Sequence, residues 1–313
     1  MLSHVLGALA TGAAIVLLSG AAPSAQEQFT NNFKYNTGQS VQPIFEGWSW
    51  APDGSINLHF GYLNRNYVQA PTVPVGANNS IQPGGPDRGQ PTFFYSRTQR
   101  NMFTVNVPKD WDRKREVIWT VTVNGKAEKA VGWLQAEWEI DPVGGAGAGG
   151  GDTDPERKMN QAPAITVDPL APVTLPGVAT LMATITDDGL PKPRPRSKPA
   201  VGQETPPTLQ GGVDAPVNVP AVAAAATRET PPGASPGAAG ARPLGLSVSW
   251  IVWRGPAAAA FSPQLVEPKD TKAVTTATFS APGEYVLRAR VTDTFKVMTE
   301  DVKVTVRQAA PNP

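Results

Sequence analysis

Three aspartates at the borders of predicted loops are the candidates for metal chemistry in this sequence. Asp187 and Asp188 precede Gly189, and Asp293 follows a predicted strand. Oxygen-rich loops suit Ca²⁺, so these three residues are candidate calcium ligands. An Asp-Asp-Gly sequence also forms ordinary turns, and an Asp-x-Asp-x-Asp spacing is absent. We therefore expect no cofactor, with calcium as the one alternative.

Residues for nucleophilic or acid–base catalysis are sparse. His59 is the only histidine beyond the N-terminal segment, so a Ser-His-Asp arrangement would have to use it. Its place between Leu58 and Phe60 fits an outward strand position, and no spacing singles out a carboxylate pair for glycoside hydrolysis. Cysteine is absent, which excludes thiol nucleophiles, thiolate metal sites and disulfides. The expectation is a protein that is not an enzyme.

Candidate binding residues come from loops and strand ends. A loop rich in glycine and proline runs over residues 82–91, and loops of this kind on a rigid scaffold are common recognition sites. Its polar head is Asp87, Arg88 and Gln90, and Arg65 with Asn66 ends a strand that we expect nearby. Trp253 should point away from the core of its strand. It is a further candidate for an exposed contact, and the alternative is that it packs under a loop.

A short basic stretch alternates cations with proline between residues 191 and 199. Lys192, Arg194 and Arg196 are its candidate binding residues. Alternating proline favours an extended polyproline II conformation, which would space the cations along a stiff rod suited to a polyanion. The alternative is that these charges only solvate a loop.

Six of the eight tryptophans lie in the first part of the chain, before residue 142. Exposed indole rings are suited to stacking on sugars, although large aromatics also fill ordinary cores. Trp48 and Trp50 share one face of a strand. Trp133 and Trp138 are five residues apart and should face opposite ways in a regular strand, which would leave at least one of them outside the core.

The elements that position these residues are predicted to be strands. From Glu284 to Thr292, Tyr285, Leu287, Ala289 and Val291 alternate with polar residues, which indicates a half-buried strand. Tyr285 lies two residues before the core position Leu287, as the corner tyrosine of an immunoglobulin-type sandwich does. Trp250 is expected in the same core, and Asn124-Gly125 predicts a two-residue hairpin.

Composition divides the chain of 313 residues into two all-β domains. Residues 1–25 read as an export signal, 26–141 as a tryptophan-rich β-sandwich, 142–162 as a glycine-rich linker, 163–307 as a second sandwich and 308–313 as a tail. Proline occupies twelve positions between 191 and 243, with few large apolar residues, so this segment is predicted to be a disordered insertion within the second sandwich. Its two ends should meet at one edge of that sandwich.

The second domain resembles PKD-like repeats of bacterial surface proteins. The resemblance rests on Thr186–Pro191, on Leu246–Trp250 with Arg254-Gly255-Pro256, and on Phe279–Tyr285. It covers residues 163–307 apart from the insertion, and it implies a seven-stranded immunoglobulin-like sandwich used as a spacer or interaction module. The first domain resembles only uncharacterised exported bacterial proteins, which implies no activity.

Charge and the N-terminal segment give the expected location and partners. A net charge of +1 is too small to give an overall electrostatic field that attracts nucleic acid, so we expect no nucleic-acid partner. The signal directs the chain to the periplasm or the exterior, and a membrane is contacted only through this segment where it is retained as an anchor. We expect a binding or structural module of a bacterial envelope whose partner is an envelope protein or an anionic or neutral polysaccharide. The alternative is a carbohydrate-binding protein that uses exposed aromatic residues of the first domain.

Overall fold

The structure, a computed structural model, describes residues 34–140, 156, 159–192 and 245–310. These residues form an all-β protein, which confirms the predicted fold class. The strands before residue 141 are β1 (Val41–Trp50), β2 (Ile56–Asn64), β3 (Asn79–Gln82), β4 (Arg97–Val107), β5 (Val117–Val123) and β6 (Lys126–Gly132). The later ones are β7 (Ala164–Val167), β8 (Val173–Thr174), β9 (Val178–Thr186), β10 (Ser247–Arg254), β11 (Ala259–Ser262), β12 (Leu265–Val266), β13 (Lys272–Phe279), β14 (Gly283–Thr292) and β15 (Val297–Arg307).

Residues 34–140, called the N-terminal half below, contain two three-stranded sheets with the orders β1-β2-β4 and β3-β5-β6. The buried ring of Trp119 joins them, because it contacts Phe60 and Phe103 of the opposite sheet edge-on. β5 and β6 are joined at Asn124-Gly125, where both residues have positive φ. The two-residue hairpin predicted from this dipeptide is therefore confirmed, since a type I′ turn requires positive φ at both positions.

Residues 159–192 and 245–310, the C-terminal half, form a sandwich of a five-stranded sheet, β12-β10-β14-β15-β8, and a four-stranded sheet, β11-β13-β9-β7. The order β7-β9-β13-β11 facing β10-β14-β15 is the A-B-E-D and C-F-G arrangement of immunoglobulin-type sandwiches. This strand order establishes the broader immunoglobulin-like class.

The core of the C-terminal half contains the residues that the sequence pattern predicted. The side chains of Trp250 and Leu287 are fully buried. The hydroxyl of Tyr285 donates a hydrogen bond of 2.9 Å to the carbonyl oxygen of Ala281, four residues upstream. Tyr285 is thus the corner tyrosine, and this prediction is confirmed.

Several predicted segments lie outside the described residues: the export signal, most of the linker and almost all of the insertion. The residues that border the insertion contact one turn, which connects β14 to β15. The amide of Gly245 donates to Thr294 Oγ1 at 2.8 Å, and the charge of Lys296 acts on the carboxylate of Asp188. Both flanks of the insertion therefore lie at the same end of the C-terminal half.

Candidate functional site

The predicted recognition loop, residues 82–91, is held by its own polar side chains. Arg88 donates one hydrogen bond to the carbonyl oxygen of Pro83 and one to that of Asn106, both at 2.8 Å. Gln90 is fully buried, accepts from the amide of Arg88 and donates to the carbonyl oxygen of Pro86. These bonds fix the shape of the loop.

The third predicted residue of that loop, Asp87, forms an ion pair with the C-terminal half. Arg254 reaches both carboxylate oxygens of Asp87, with N···O distances of 2.7 and 3.0 Å, and donates from Nε to the carbonyl oxygen of Gln90. The hydrogen bonds from Arg254 lower the pKa of Asp87. Bidentate geometry of this kind combines charge with a fixed orientation. The loop is thus fastened to the end of β10.

A β-bulge explains how β10 makes this contact. The register between β10 and β14 shifts between Val252 and Arg254, so Trp253 is an extra residue in the strand. A bulge re-aims side chains, and here both Trp253 and Arg254 contact the N-terminal half. Strict alternation would have placed these two neighbours on opposite faces.

Trp253 is buried between the halves, so it is not an exposed contact, and the alternative, that it packs under a loop, is confirmed. Its side chain is 2% exposed, and Nε1 donates to the carbonyl oxygen of Gly89 at 3.2 Å. The guanidinium of Arg288 lies 3.5 Å from the centre of the indole and also donates a hydrogen bond to the carbonyl oxygen of Met102. The alternation correctly placed Trp253 on the face away from the core, but the N-terminal half covers that face.

Tyr95 and Thr92 complete this junction, and the sequence reasoning missed both. The hydroxyl of Tyr95 accepts a hydrogen bond of 2.7 Å from the amide of Val252, and the amide of Thr92 donates to the carbonyl oxygen of Trp253 at 3.1 Å. Burial raises the pKa of Tyr95. One signal for a covered strand was available, since Ile251-Val252-Trp253 is a continuous apolar run, as in strands buried on both faces.

A shallow groove lies beside the junction. Its volume is about 420 Å³, and its walls are mostly apolar. Thr72, Pro74 and Val75 line it from the N-terminal half, and Arg254 with Pro256 line it from the C-terminal half. The ion pair of Arg254 with Asp87 therefore also orders one wall of this groove.

Arg65 and Asn66 belong to a different region of the N-terminal half. Asn66 is fully buried and bonds to the backbone of Gln39 on both its amide and carbonyl sides. Arg65 lies 3.4 Å from Glu128 and donates to the side chain of Gln42. These contacts order the start of β1. A binding role for either residue stays a prediction.

The three aspartates lie near one another but have different surroundings. Asp293 is buried and accepts hydrogen bonds from the amides of Phe295 and Lys296 and from the side chain of Asn160. Burial raises the pKa of Asp187, and the nearby carboxylates of Asp188 and Asp293 raise it further. Asp188 is exposed and accepts from backbone amides.

A cation of the protein itself lies at this cluster. The ammonium of Lys296 donates to the carbonyl oxygen of Asn160 at 2.6 Å and acts on Asp188. Among the residues that the structure describes, no three histidine, aspartate or glutamate side chains gather in a way that could hold a metal ion. The calcium site stays a prediction.

Of the predicted cationic rod, only Lys192 is among the described residues, and its amide donates to Glu156. Arg194 and Arg196 lie outside them.

Exposed tryptophans lie at one end of the N-terminal half. Trp50 is 48% exposed and Trp138 is 38% exposed, whereas Trp48 is buried beside Trp50. Trp133 and Trp138 contact each other, with ring centres 4.6 Å apart. The expectation that they face opposite ways is wrong because residues 136–138 form a 3-10 turn instead of continuing a strand. Trp138 nevertheless lies outside the core, as expected.

His59 contacts a buried serine. Ser49 Oγ and His59 Nε2 are 2.8 Å apart, and Ser49 is 1% exposed. Burial lowers the pKa of His59, which favours the neutral imidazole. A nucleophile must reach its substrate, so this geometry is that of a packed hydrogen bond between β1 and β2.

Comparison with known proteins assigns no family to the chain. No protein family matches it, and no curated protein matches it. Similar solved structures include domains 1–6 of the surface layer protein SbsC, at 8% identity and a TM-score of 0.23, with 87% of this chain and 28% of that chain covered. Fibronectin(III)-like modules of CbhA from Clostridium thermocellum are similar at 8% identity and a TM-score of 0.22, with 86% of this chain and 95% of that chain covered. A chimeric titin Z1Z2 tandem is also similar, at 12% identity and a TM-score of 0.21, with 86% of this chain and 97% of that chain covered.

The chain spans little more than a quarter of the SbsC structure that it matches. The fold assignment rests on the strand order and the corner tyrosine, because the superpositions are too loose to support it. Within the described ranges, the structure has no apolar helix of membrane-spanning length.

Proposed function

We propose that this chain is an exported, non-enzymatic module of a bacterial cell envelope, with a structural or binding role. Its partner is an envelope protein or an envelope polysaccharide. The observation that supports this proposal is the junction between the halves. A spacer or presenting module has to hold its surfaces in a fixed relative orientation.

The contacts at the junction are suited to such a role. They combine a bidentate ion pair, a buried indole and backbone hydrogen bonds from both halves. Directional bonds fix rotation, and the buried indole excludes water from their surroundings. The groove beside Arg254 and the exposed tryptophans are then surfaces that a rigid body presents to its partner.

Co-sedimentation with purified envelope fractions tests this role. The mature chain should sediment with cell-wall polymer or with outer-membrane fragments, and its binding should saturate. A control chain with Trp253→Ala, in which the junction is loosened, should bind more weakly if orientation matters. A wild-type protein that stays in the supernatant with every fraction, or that turns over an envelope component, would contradict the proposal.

A second candidate function is carbohydrate binding by the N-terminal half. The exposed rings of Trp50 and Trp138 favour it, because an indole held by neighbouring aromatics offers a preorganised apolar face. Trp138 is supported by Phe45 and Trp133, and Trp50 by Trp48. Polar groups at the rim of the 3-10 turn, including Glu137, are available to bond sugar hydroxyls.

Pull-down on insoluble polysaccharides separates the two candidates. Trp50→Ala and Trp138→Ala should each weaken retention by at least tenfold if the rings stack on sugar. Tyr35→Ala is the matched control, since Tyr35 is an exposed aromatic outside this cluster. Retention that is equal in all three variants would exclude the tryptophan surface as the binding site.

A further inference from the structure

Arg290 has a charge that the described part of the chain does not compensate. It lies on β14, directly opposite Ser249 of β10 and Thr299 of β15. Among the described residues, neither a hydrogen-bond acceptor nor a carboxylate lies within bonding distance of its guanidinium. Burial lowers the pKa of Arg290, and the charge of Arg288 lowers it further. A guanidinium stays charged in proteins, and a partly buried charge is normally paired, so Arg290 lacks an anion.

Arg288, two residues away on the same face, does not share its anion with Arg290. Its Nε and Nη2 both donate to the carboxylate of Asp301, at 2.6 and 2.8 Å, and its Nη1 donates to the carbonyl oxygen of Met102. Asp301 is thus engaged in a bidentate pair with Arg288. These two residues neutralise each other, and the neighbouring charge of Arg290 stays unpaired.

A buried hydroxyl without a partner lies beside Arg290. Ser247 is opposite Thr292 of β14, so Ser247 and Arg290 are diagonal neighbours on one face of the strand pair. Ser247 is 1% exposed, and within the described ranges its Oγ has no hydrogen-bond partner. Buried hydroxyls are normally bonded. Two neighbouring donors therefore lack an acceptor, and a single oxyanion between them would serve both.

We propose that Arg290 and Ser247 bind the carboxylate group of an acidic envelope polysaccharide. One guanidinium matches a carboxylate both in charge and in bidentate geometry. A phosphate monoester carries about 1.5 to 2 negative charges, which one unpaired arginine does not balance. The carboxylate is therefore the better match to this site.

The surroundings of Arg290 favour a sugar as the bearer of that carboxylate. Leu265 of β12 lies opposite Ser249 and is 45% exposed, so Leu265, Ser249, Arg290 and Thr299 form one row across the sheet. Four strands at about 4.8 Å spacing make this row roughly 14 Å long, which is more than a carboxylate alone needs. The two hydroxyls can both donate and accept, as sugar hydroxyls require, and the leucine offers an apolar contact for a ring. The choice of a polysaccharide rests on the proposed function, whereas the carboxylate site does not.

Thermal unfolding in sodium galacturonate tests the carboxylate site, with sodium phosphate as the second anion and sodium chloride holding the ionic strength constant. A ligand that binds only the folded state raises the Tm. Galacturonate should raise the Tm of the wild-type protein to a larger extent than phosphate does. Arg290→Gln should abolish the rise, and Arg290→Lys should weaken the apparent affinity about tenfold, because lysine cannot bond in a bidentate way. Arg307→Gln is the matched control, an exposed arginine of the same sheet, and should respond as the wild type does.

Arg290→Gln removes an unpaired charge, so its Tm in chloride should be no lower than that of the wild type, and circular dichroism checks its fold. Arg290→Lys provides a second disruption should the glutamine variant fail to fold. Equal responses of wild type, Arg290→Gln and Arg290→Lys to galacturonate overturn the site. So does a wild-type Tm that rises with phosphate alone or with neither anion.

Titration calorimetry with polygalacturonate and polyglutamate, at equal carboxylate concentration, tests the polysaccharide. Polygalacturonate should bind more tightly than polyglutamate, and Arg290→Gln should weaken this binding about tenfold, the discrimination expected of one bidentate pair. Equal or tighter binding of polyglutamate would identify an acidic polypeptide and overturn the polysaccharide. A protein that responds to galacturonate but sediments with no envelope fraction would refute the proposed function and leave the carboxylate site intact.

Discussion

The five-stranded and four-stranded sheets of the C-terminal half present outer faces that differ in composition and in covering. The outer face of β10 and β14 bears Ile251, Trp253 and Arg288, and the N-terminal half covers it. The outward side chains of β9 and β13 on the four-stranded sheet, which we call the open face, are mostly threonine and valine and are largely exposed. Both faces belong to one sandwich with one core. The difference shows that large aromatic and cationic side chains build the covered face, whereas short β-branched ones form a flat exposed surface.

The largest expected effect comes from Trp253→Ala on the covered face. Removal of a buried indole should destabilise the protein by about 3–5 kcal/mol, because it leaves a cavity between the halves. The same truncation on the open face, Val274→Ala, should cost at most about 1 kcal/mol. Urea unfolding of both variants measures the contrast. Similar losses from the two substitutions would show that the faces do not differ in the way described.

A smaller effect is expected from Arg254→Ala, which removes both bonds to Asp87 and the bond to Gln90. The loss should be about 1–2 kcal/mol, since the pair is partly exposed and its charges are partly screened. Arg254→Lys should recover less than half, because lysine cannot reproduce the bidentate geometry. A full recovery by lysine would mean that only the charge matters at this junction. Chemical unfolding at low and high salt distinguishes these outcomes.

The corner tyrosine tests the sandwich that carries both faces. Tyr285→Phe removes one hydrogen bond to Ala281 and should cost about 0.5–1.5 kcal/mol. The measurement is the free energy of unfolding, with Tyr35→Phe as a control at an exposed site. An unchanged free energy of unfolding would show that the hydrogen bond from Tyr285 to Ala281 does not stabilise the sandwich.

The smallest effect concerns pH and His59. Burial lowers the pKa of His59 below its ordinary value of 6.5, so the folded chain binds fewer protons than the unfolded chain in the window below 6.5. The stability that the buried neutral imidazole of His59 contributes is fully present above about pH 6.5 and is lost as the pH falls below this value. His59→Gln should therefore reduce the loss of stability between pH 7.5 and pH 5.5. An equal loss in both proteins would show that other groups cause it.

The sequence pattern predicted what lies inside each strand but not what covers its outer side. Tyr285, Trp250 and Leu287 were placed correctly because alternation and the corner motif are local. Trp253 was placed on the correct side, but the pattern could not decide between solvent and a covering loop, since its partner Gly89 lies 164 residues away in the chain. Arg254 was missed because a bulge breaks the period of two. Trp133 and Trp138 were misjudged for a similar reason, since a 3-10 turn lies between them.

The junction that locks the two halves together is the central claim, and calorimetry tests it most directly. If the junction locks the covered face, heating the protein at low concentration should give one transition whose calorimetric and van't Hoff enthalpies agree. Trp253→Ala should split or broaden this transition, whereas Val274→Ala should not. Two separate transitions in the wild-type chain, unaffected by Trp253→Ala, would contradict the account.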